Sequence, residues 1–104
     1  MRRGEIWWAK MPDPAGRRPV VLISRDSSYA VRSSITVVEV SRTIRAIPTE
    51  VPLGKREGLP AKCVVNADNV VTIPKAWLET RVGALSPDKV VGLNDALKFA
   101  LALS

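Results

Sequence analysis

Arg17-Arg18-Pro19-Val20-Val21-Leu22-Ile23-Ser24 and Ile35-Thr36-Val37-Val38-Glu39-Val40-Ser41 decide how this chain folds. Each is a short apolar or β-branched run bounded by polar residues, which suits a strand better than a helix. The first reads as a buried strand over Pro19–Ser24 and the second as a strand over Ile35–Ser41, with Arg25–Ser34 as the loop between them. If they pair antiparallel, the start of the first strand lies beside the end of the second. Arg17 and Arg18 then face Ser41, Arg42 and Thr43 across one rim of the sheet.

The remaining segments extend this pattern. Gly4–Ala9 reads as a first strand, with Ile6 and Trp8 on one face and Trp7 and Ala9 on the other. Met11–Gly16 is a turn region, because its two prolines and glycine do not fit a ladder. Ile47–Leu53 also holds two prolines, which predicts an extended edge, and Gly54–Pro60 is a further turn region. Lys62–Asn66 and Asn69–Ile73 read as two short strands flanking Ala67-Asp68. Lys75–Glu79 suits one helical turn and Arg81–Leu85 a last strand. A terminal helix follows: Ser86 is a good N-cap, Pro87 suits the first helical position and Asp88 favours the positive end of the dipole. Val90, Leu93, Leu97, Ala100 and Leu101 make its apolar face. The prediction is a mainly β protein, a small, partly closed antiparallel β-barrel with a C-terminal helix over its open side, and residues 1–104 as one domain.

Composition narrows the function. The 104 residues are 25% charged and 46% hydrophobic, as in a folded chain. Lysine and arginine number 16 against 10 acids, a net charge of +6. Residues 1–45 hold nine of the bases against four acids, and eight of those nine are arginine. A planar guanidinium fork matches phosphate, so the skew points to nucleic acid. Histidine is absent and Cys63 is the only cysteine. That excludes a Ser-His-Asp triad, a Cys-His dyad, a Cys/His zinc site and an intrachain disulfide within one chain. No metal or other cofactor is expected. Cys63 reads as a small buried residue; Trp7 and Trp8 read as core, dimer interface or a platform for bases. The charged N-terminus does not look like a signal peptide and no apolar run is long enough to span a bilayer, so the expected location is the cytoplasm.

An arginine-and-hydroxyl rim suits one chemistry in particular. RNA carries its own nucleophile, the 2′-hydroxyl beside the scissile phosphate. Arginine can stabilise the charge that develops when this hydroxyl attacks, and a serine or threonine can hold a phosphate oxygen. Asp68, between two short strands, could approach the rim and orient the substrate or act as base. DNA lacks the 2′-hydroxyl and would be spared.

Four ordered blocks of the sequence resemble the MazF/PemK toxins of toxin–antitoxin systems. They are Arg3-Gly4-Glu5-Ile6-Trp7-Trp8, Arg17 to Ser24, Val64 to Ile73 and Arg81 to Ser86. The resemblance implies an SH3-like barrel related to the CcdB and Kid toxins, a homodimer, and a metal-independent, sequence-specific endoribonuclease acting on single-stranded RNA. It implies an acidic, MazE-like antitoxin as partner. The family's catalytic arginine falls on Arg18 and its catalytic threonine on Ser41, with Thr43 the near alternative; an aspartate used by some members falls on Asp68. Arg17, Arg42, Arg45 and Asn66 are expected to bind RNA, Asn66 standing where some members have an arginine. The loop Met11–Gly16 is shorter than in the family and lacks its glutamate. Two other readings are a CcdB-like gyrase-binding poison without nuclease activity and a barrel that binds RNA without cutting it.

Overall fold

A computed structural model describes residues 1–103. The elements are β1 (Glu5–Lys10), β2 (Arg17–Leu22), a one-turn helix α1 (Ser28–Val31), β3 (Ser34–Ser41), β4 (Glu50–Leu53), β5 (Cys63–Pro74), β6 (Leu78–Ala84) and α2 (Pro87–Ala100). The strands form one six-stranded sheet in the order β4-β5-β3-β2-β1-β6, and every pairing is antiparallel. As expected, β4 lies at an edge, where Pro52 costs the sheet little.

Alternation along the strands gives the sheet two buried faces. On one, Ile6, Val21, Val38, Val40 and Val65 pack with Leu93, Ala96 and Leu97 of α2. On the other, Ala9, Val20, Leu22, Ile35, Val37 and Ile73 close over Tyr29 and Met11, with Trp7 and Trp77 against them. The sheet curls until its two edges nearly meet. The turn after β4 (a 3₁₀ turn at Lys55–Glu57) reaches β6, and a Cβ added at Gly83 would stand 2.6 Å from the Glu57 carbonyl oxygen. Gly83 is therefore required by close approach. The helix starts as predicted: Ser86 Oγ accepts from Lys89 N–H at 3.3 Å, with Pro87 as first residue.

Four expectations are corrected. The two short strands around Ala67-Asp68 are one strand, β5, which bulges instead of breaking. Between the pairs Val40↔Val65 and Val38↔Val70, β5 takes five steps while β3 takes two. The bulge is held locally: Asn66 Oδ1 accepts from Asp68 N–H at 3.0 Å, and Ala67 N–H donates to Thr49 O at 2.7 Å. The loop Arg25–Ser34 contains α1, which carries the buried Tyr29, whose hydroxyl donates to Ser24 O at 3.0 Å. On α2, Leu101 is the C-cap and is exposed, while Ala96 joins the core in its place. Finally, β2 begins at Arg17, so both arginines belong to the ladder and not to the turn before it.

Candidate functional site

The pairing on which the rim depends is present. β2 and β3 match Val20 to Glu39 and Val21 to Val38, and continuing that register sets Arg18 opposite Ser41. A cleft of about 560 Å³ opens there, lined by Trp8, Arg17, Arg18, Ser41, Arg42 and Thr43 and by the buried Val40 and Cys63. β1 contributes Trp8, which lies opposite Pro19 in the adjacent ladder.

The three arginines of the cleft are in different states. Arg18 is half-buried, and its Nη1 stands 3.7 Å from Glu39 Oε1, a loose ion pair that leaves most of its donors free. Glu39 and Ser41 are two residues apart on β3, so they project to the same face. Arg42 is exposed, and among the described residues no carboxylate comes within ion-pair distance of it. Arg17 is committed: its Nε donates to Glu79 Oε1 at 2.8 Å, and its Cζ lies 4.4 Å from the centroid of the Trp8 ring.

The hydroxyls differ too. Ser41 Oγ accepts from Thr43 N–H at 3.1 Å. That contact orients the serine while leaving its own proton free to donate, so the hydroxyl can present a hydrogen bond to an anionic oxygen. Thr43 follows two residues later and is exposed. Cys63 is buried, and burial pushes its thiol up, with the Glu57 carboxylate adding to the effect. It is a poor nucleophile here. No group of three or more His, Cys, Asp or Glu side chains that could hold a metal is found among the described residues.

The structure does not bring every predicted residue to the cleft. Asn66 and Asp68 sit on the β5 bulge and do not line it. Asn66 is buried and spends its Oδ1 on the Asp68 backbone, and Asp68 is exposed. Arg45 lies beyond the rim, where its backbone N–H donates to Glu50 at 2.9 Å. Sequence reading missed Glu39, although its place two residues before Ser41 marked it as facing the rim. It also missed the Arg17–Glu79 pair, which spans 62 positions and has no local signal.

A second groove, about 730 Å³, shares Cys63 with the cleft and carries Lys55, Arg56, Lys62 and Lys89. Of these, Lys89 is held by Glu57 at 3.1 Å. The basic surface thus continues from the arginine-rich first part of the chain onto residues after position 45.

Comparison with known proteins bears on this arrangement. A family pattern described as PemK-like, MazF-like toxin of type II toxin–antitoxin systems matches residues 2–101. The chain is 38% identical over 91 residues to probable endoribonuclease MazF2 of Mycobacterium tuberculosis, covering 86% of this chain and 87% of that protein. It is 35% identical over 103 residues to probable endoribonuclease MazF5 of the same organism, covering 98% and 94%. Among solved structures it resembles the Mycobacterium tuberculosis toxin MazF-mt6, with a TM-score of 0.89 at 30% identity, covering 96% of this chain and 98% of that one. It also resembles a mycobacterial endoribonuclease solved in complex with its cognate antitoxin, with a TM-score of 0.86 at 28% identity, covering 100% and 97%.

Proposed function

Since the chain belongs to the PemK-like, MazF-like toxins of type II toxin–antitoxin systems, we propose that it is the toxin of such a pair and an endoribonuclease that cuts single-stranded RNA at the β2–β3 cleft. The observation that carries this reading is the meeting of Arg18 and Ser41 in one cleft beside the unpaired Arg42, in a chain without histidine.

The 2′-hydroxyl on the 5′ side of the scissile phosphate attacks phosphorus, and the bond to the 5′-oxygen breaks. The products are a 2′,3′-cyclic phosphate and a 5′-hydroxyl. Arg18 donates to the equatorial oxygens as charge builds on them and is assigned the proton for the departing 5′-oxygen. Ser41, held by the Thr43 N–H, donates to a phosphate oxygen, and Thr43 lies within the same cleft. Neither Glu39 nor Asp68 is part of the cleft lining, but Glu39 replaces Asp68 as the carboxylate assigned to the 2′-hydroxyl proton, because its Oε1 stands 3.7 Å from Arg18 Nη1. Arg42 holds the RNA backbone. Asn66, Asp68 and Arg45 are left to contacts outside the cleft.

The reading includes a single domain over residues 1–104, action in the cytoplasm, and a homodimer. The exposed Val91, Phe99 and Leu101 along and just after α2 support an apolar contact between copies. Among the described residues no helix is long and apolar enough to cross a membrane. An acidic antitoxin complements the basic surface of cleft and groove. A protein-binding poison that cuts nothing would have no use for a cleft lined by three arginines and two hydroxyls.

The test is incubation of the purified protein with a long single-stranded RNA in EDTA, followed by mapping of both new ends. Cuts leaving 5′-hydroxyl and 2′,3′-cyclic phosphate ends are expected, and Arg18→Ala should slow their appearance about 100- to 1000-fold. Intact RNA, or cutting that Arg18→Ala leaves unchanged, overturns the assignment.

A further inference from the structure

Arg17 and Arg18 are neighbours in sequence, yet the fold prepares them for different work. Arg18 has only the loose contact with Glu39 at 3.7 Å and keeps its donors for an anion. Arg17 is pinned at two points, by Glu79 at 2.8 Å and by the face of Trp8 at 4.4 Å. Glu79 compensates its charge from outside the cleft, where it borders a separate shallow groove with Met11 and Trp77. A neutralised guanidinium is a weak phosphate clamp. A guanidinium lying over an indole face adds a delocalised plane to that of the ring, and such planes stack on nucleobases. The Arg17 side chain remains 52% exposed, so a ligand can reach it.

We infer that Trp8 and Arg17, held by Glu79, form a stacking platform for one unpaired base of the RNA and thereby set a base preference beside the cut. The inference rests on the reading of the cleft as an RNA-cleaving site. Trp8 and Arg17 line the same cleft as Ser41 and Arg18, so the stacked base belongs to a nucleotide adjoining the scissile phosphate. Stacking accepts every base but strengthens with ring area, so the preference is for a purine. Trp7 has no part in this: its ring packs against the opposite core, and its Nε1–H donates to Glu5 at 3.0 Å.

The experiment compares wild type, Trp8→Phe, Trp8→Ala, Arg17→Lys and Arg17→Ala on a random-sequence single-stranded RNA pool. Cut ends are sequenced, and rates are measured against RNA and salt concentration, with folding followed by circular dichroism. Wild type and Trp8→Phe should show a purine bias at one position next to the cut. Trp8→Ala and Arg17→Lys should lose it and raise KM on the order of tenfold with little change in kcat. Lysine keeps the charge but not the plane, so Arg17→Lys decides the matter alone if Trp8→Ala does not fold. Arg17→Ala should leave the salt slope of binding unchanged. The platform is refuted if wild type cuts but the bias survives in Arg17→Lys, or if Arg17→Ala lowers the salt slope by about one, as a phosphate contact would. Absence of any cutting by wild type would instead remove the RNA-cleaving reading, and the platform with it.

Discussion

Closure of the curled sheet can be tested at two glycines where one added methyl should act in opposite directions. At Gly83 on β6 the new Cβ would stand 2.6 Å from the Glu57 carbonyl oxygen. Ordinary contact for such a pair begins near 3.4 Å, so one backbone must retreat by several tenths of an ångström. The Glu57 turn cannot retreat freely. Its carboxylate accepts from Gly54 N–H at 2.7 Å and pairs with Lys89 of α2 at 3.1 Å, while Gly58 packs on Val82. Overpacking against a constrained neighbour costs about 1–3 kcal/mol. At Gly92, inside α2, the nearest atoms are the Val51 methyls at 3.9 Å, which is ordinary contact. Alanine there gains helix propensity of about 0.8–1 kcal/mol. In urea, with a slope of about 1–3 kcal/mol per molar, Gly83→Ala should lower the unfolding midpoint by roughly 1 M and Gly92→Ala should raise it by several tenths. An unchanged midpoint for Gly83→Ala would mean that the edges of the sheet do not meet, and equal shifts for both would mean that contact distance is not what matters. Because the same turn leads through Pro60 and Ala61 into the cleft, Gly83→Ala should also slow cleavage.

Other outcomes follow from the same geometry. Arg18→Ala removes a loose, half-buried ion pair worth about 0–1 kcal/mol, so the unfolding midpoint should hardly move, while initial rates on a labelled RNA fall about 100- to 1000-fold; Arg18→Lys should recover little, having one point charge for a fork. Ser41→Ala should cost activity of similar order and Ser41→Thr should restore it, whereas an active Ser41→Ala would transfer the role to Thr43. Tyr29 is raised from 10.0 to about 12, chiefly by burial and then by the Asp26 carboxylate. Its contribution to stability is therefore full below pH 10 and lost as the pH rises toward 12, on the order of 2 kcal/mol. Urea midpoints of wild type and Tyr29→Phe should accordingly converge over that window, and parallel curves would contradict the assignment. Replacing Arg56 and Lys62 of the second groove by alanine should reduce the salt slope of binding for long single-stranded RNA by about 1.4, with no effect on the cut position, and an unchanged slope would remove the groove from the binding surface.

Much of the site was legible because its logic is local. Two β-branched runs joined by a ten-residue polar connection suggest an antiparallel pair, and the pair alone brings Arg18 to Ser41. The helix start was legible for the same reason, since Ser86, Pro87 and Asp88 act within one turn. The bulge at Asn66–Asn69 was not. Polar residues inside an apolar run usually mark a turn, and here the Thr49 carbonyl just before β4 and the Asn66 side chain hold β5 as it continues through them. That one difference moved the proposed carboxylate from Asp68 to Glu39. The distinction between Arg17 and Arg18 was equally hidden. As text they are one doublet at the start of a strand. In the fold, alternation turns them to opposite faces, so one meets Glu39 on the neighbouring strand and the other meets Trp8 on β1 and Glu79 on β6. Charge counts from sequence treat the two as equal cations. The contacts that separate an anion clamp from a stacking surface lie on other strands, and only the register of the sheet reveals them.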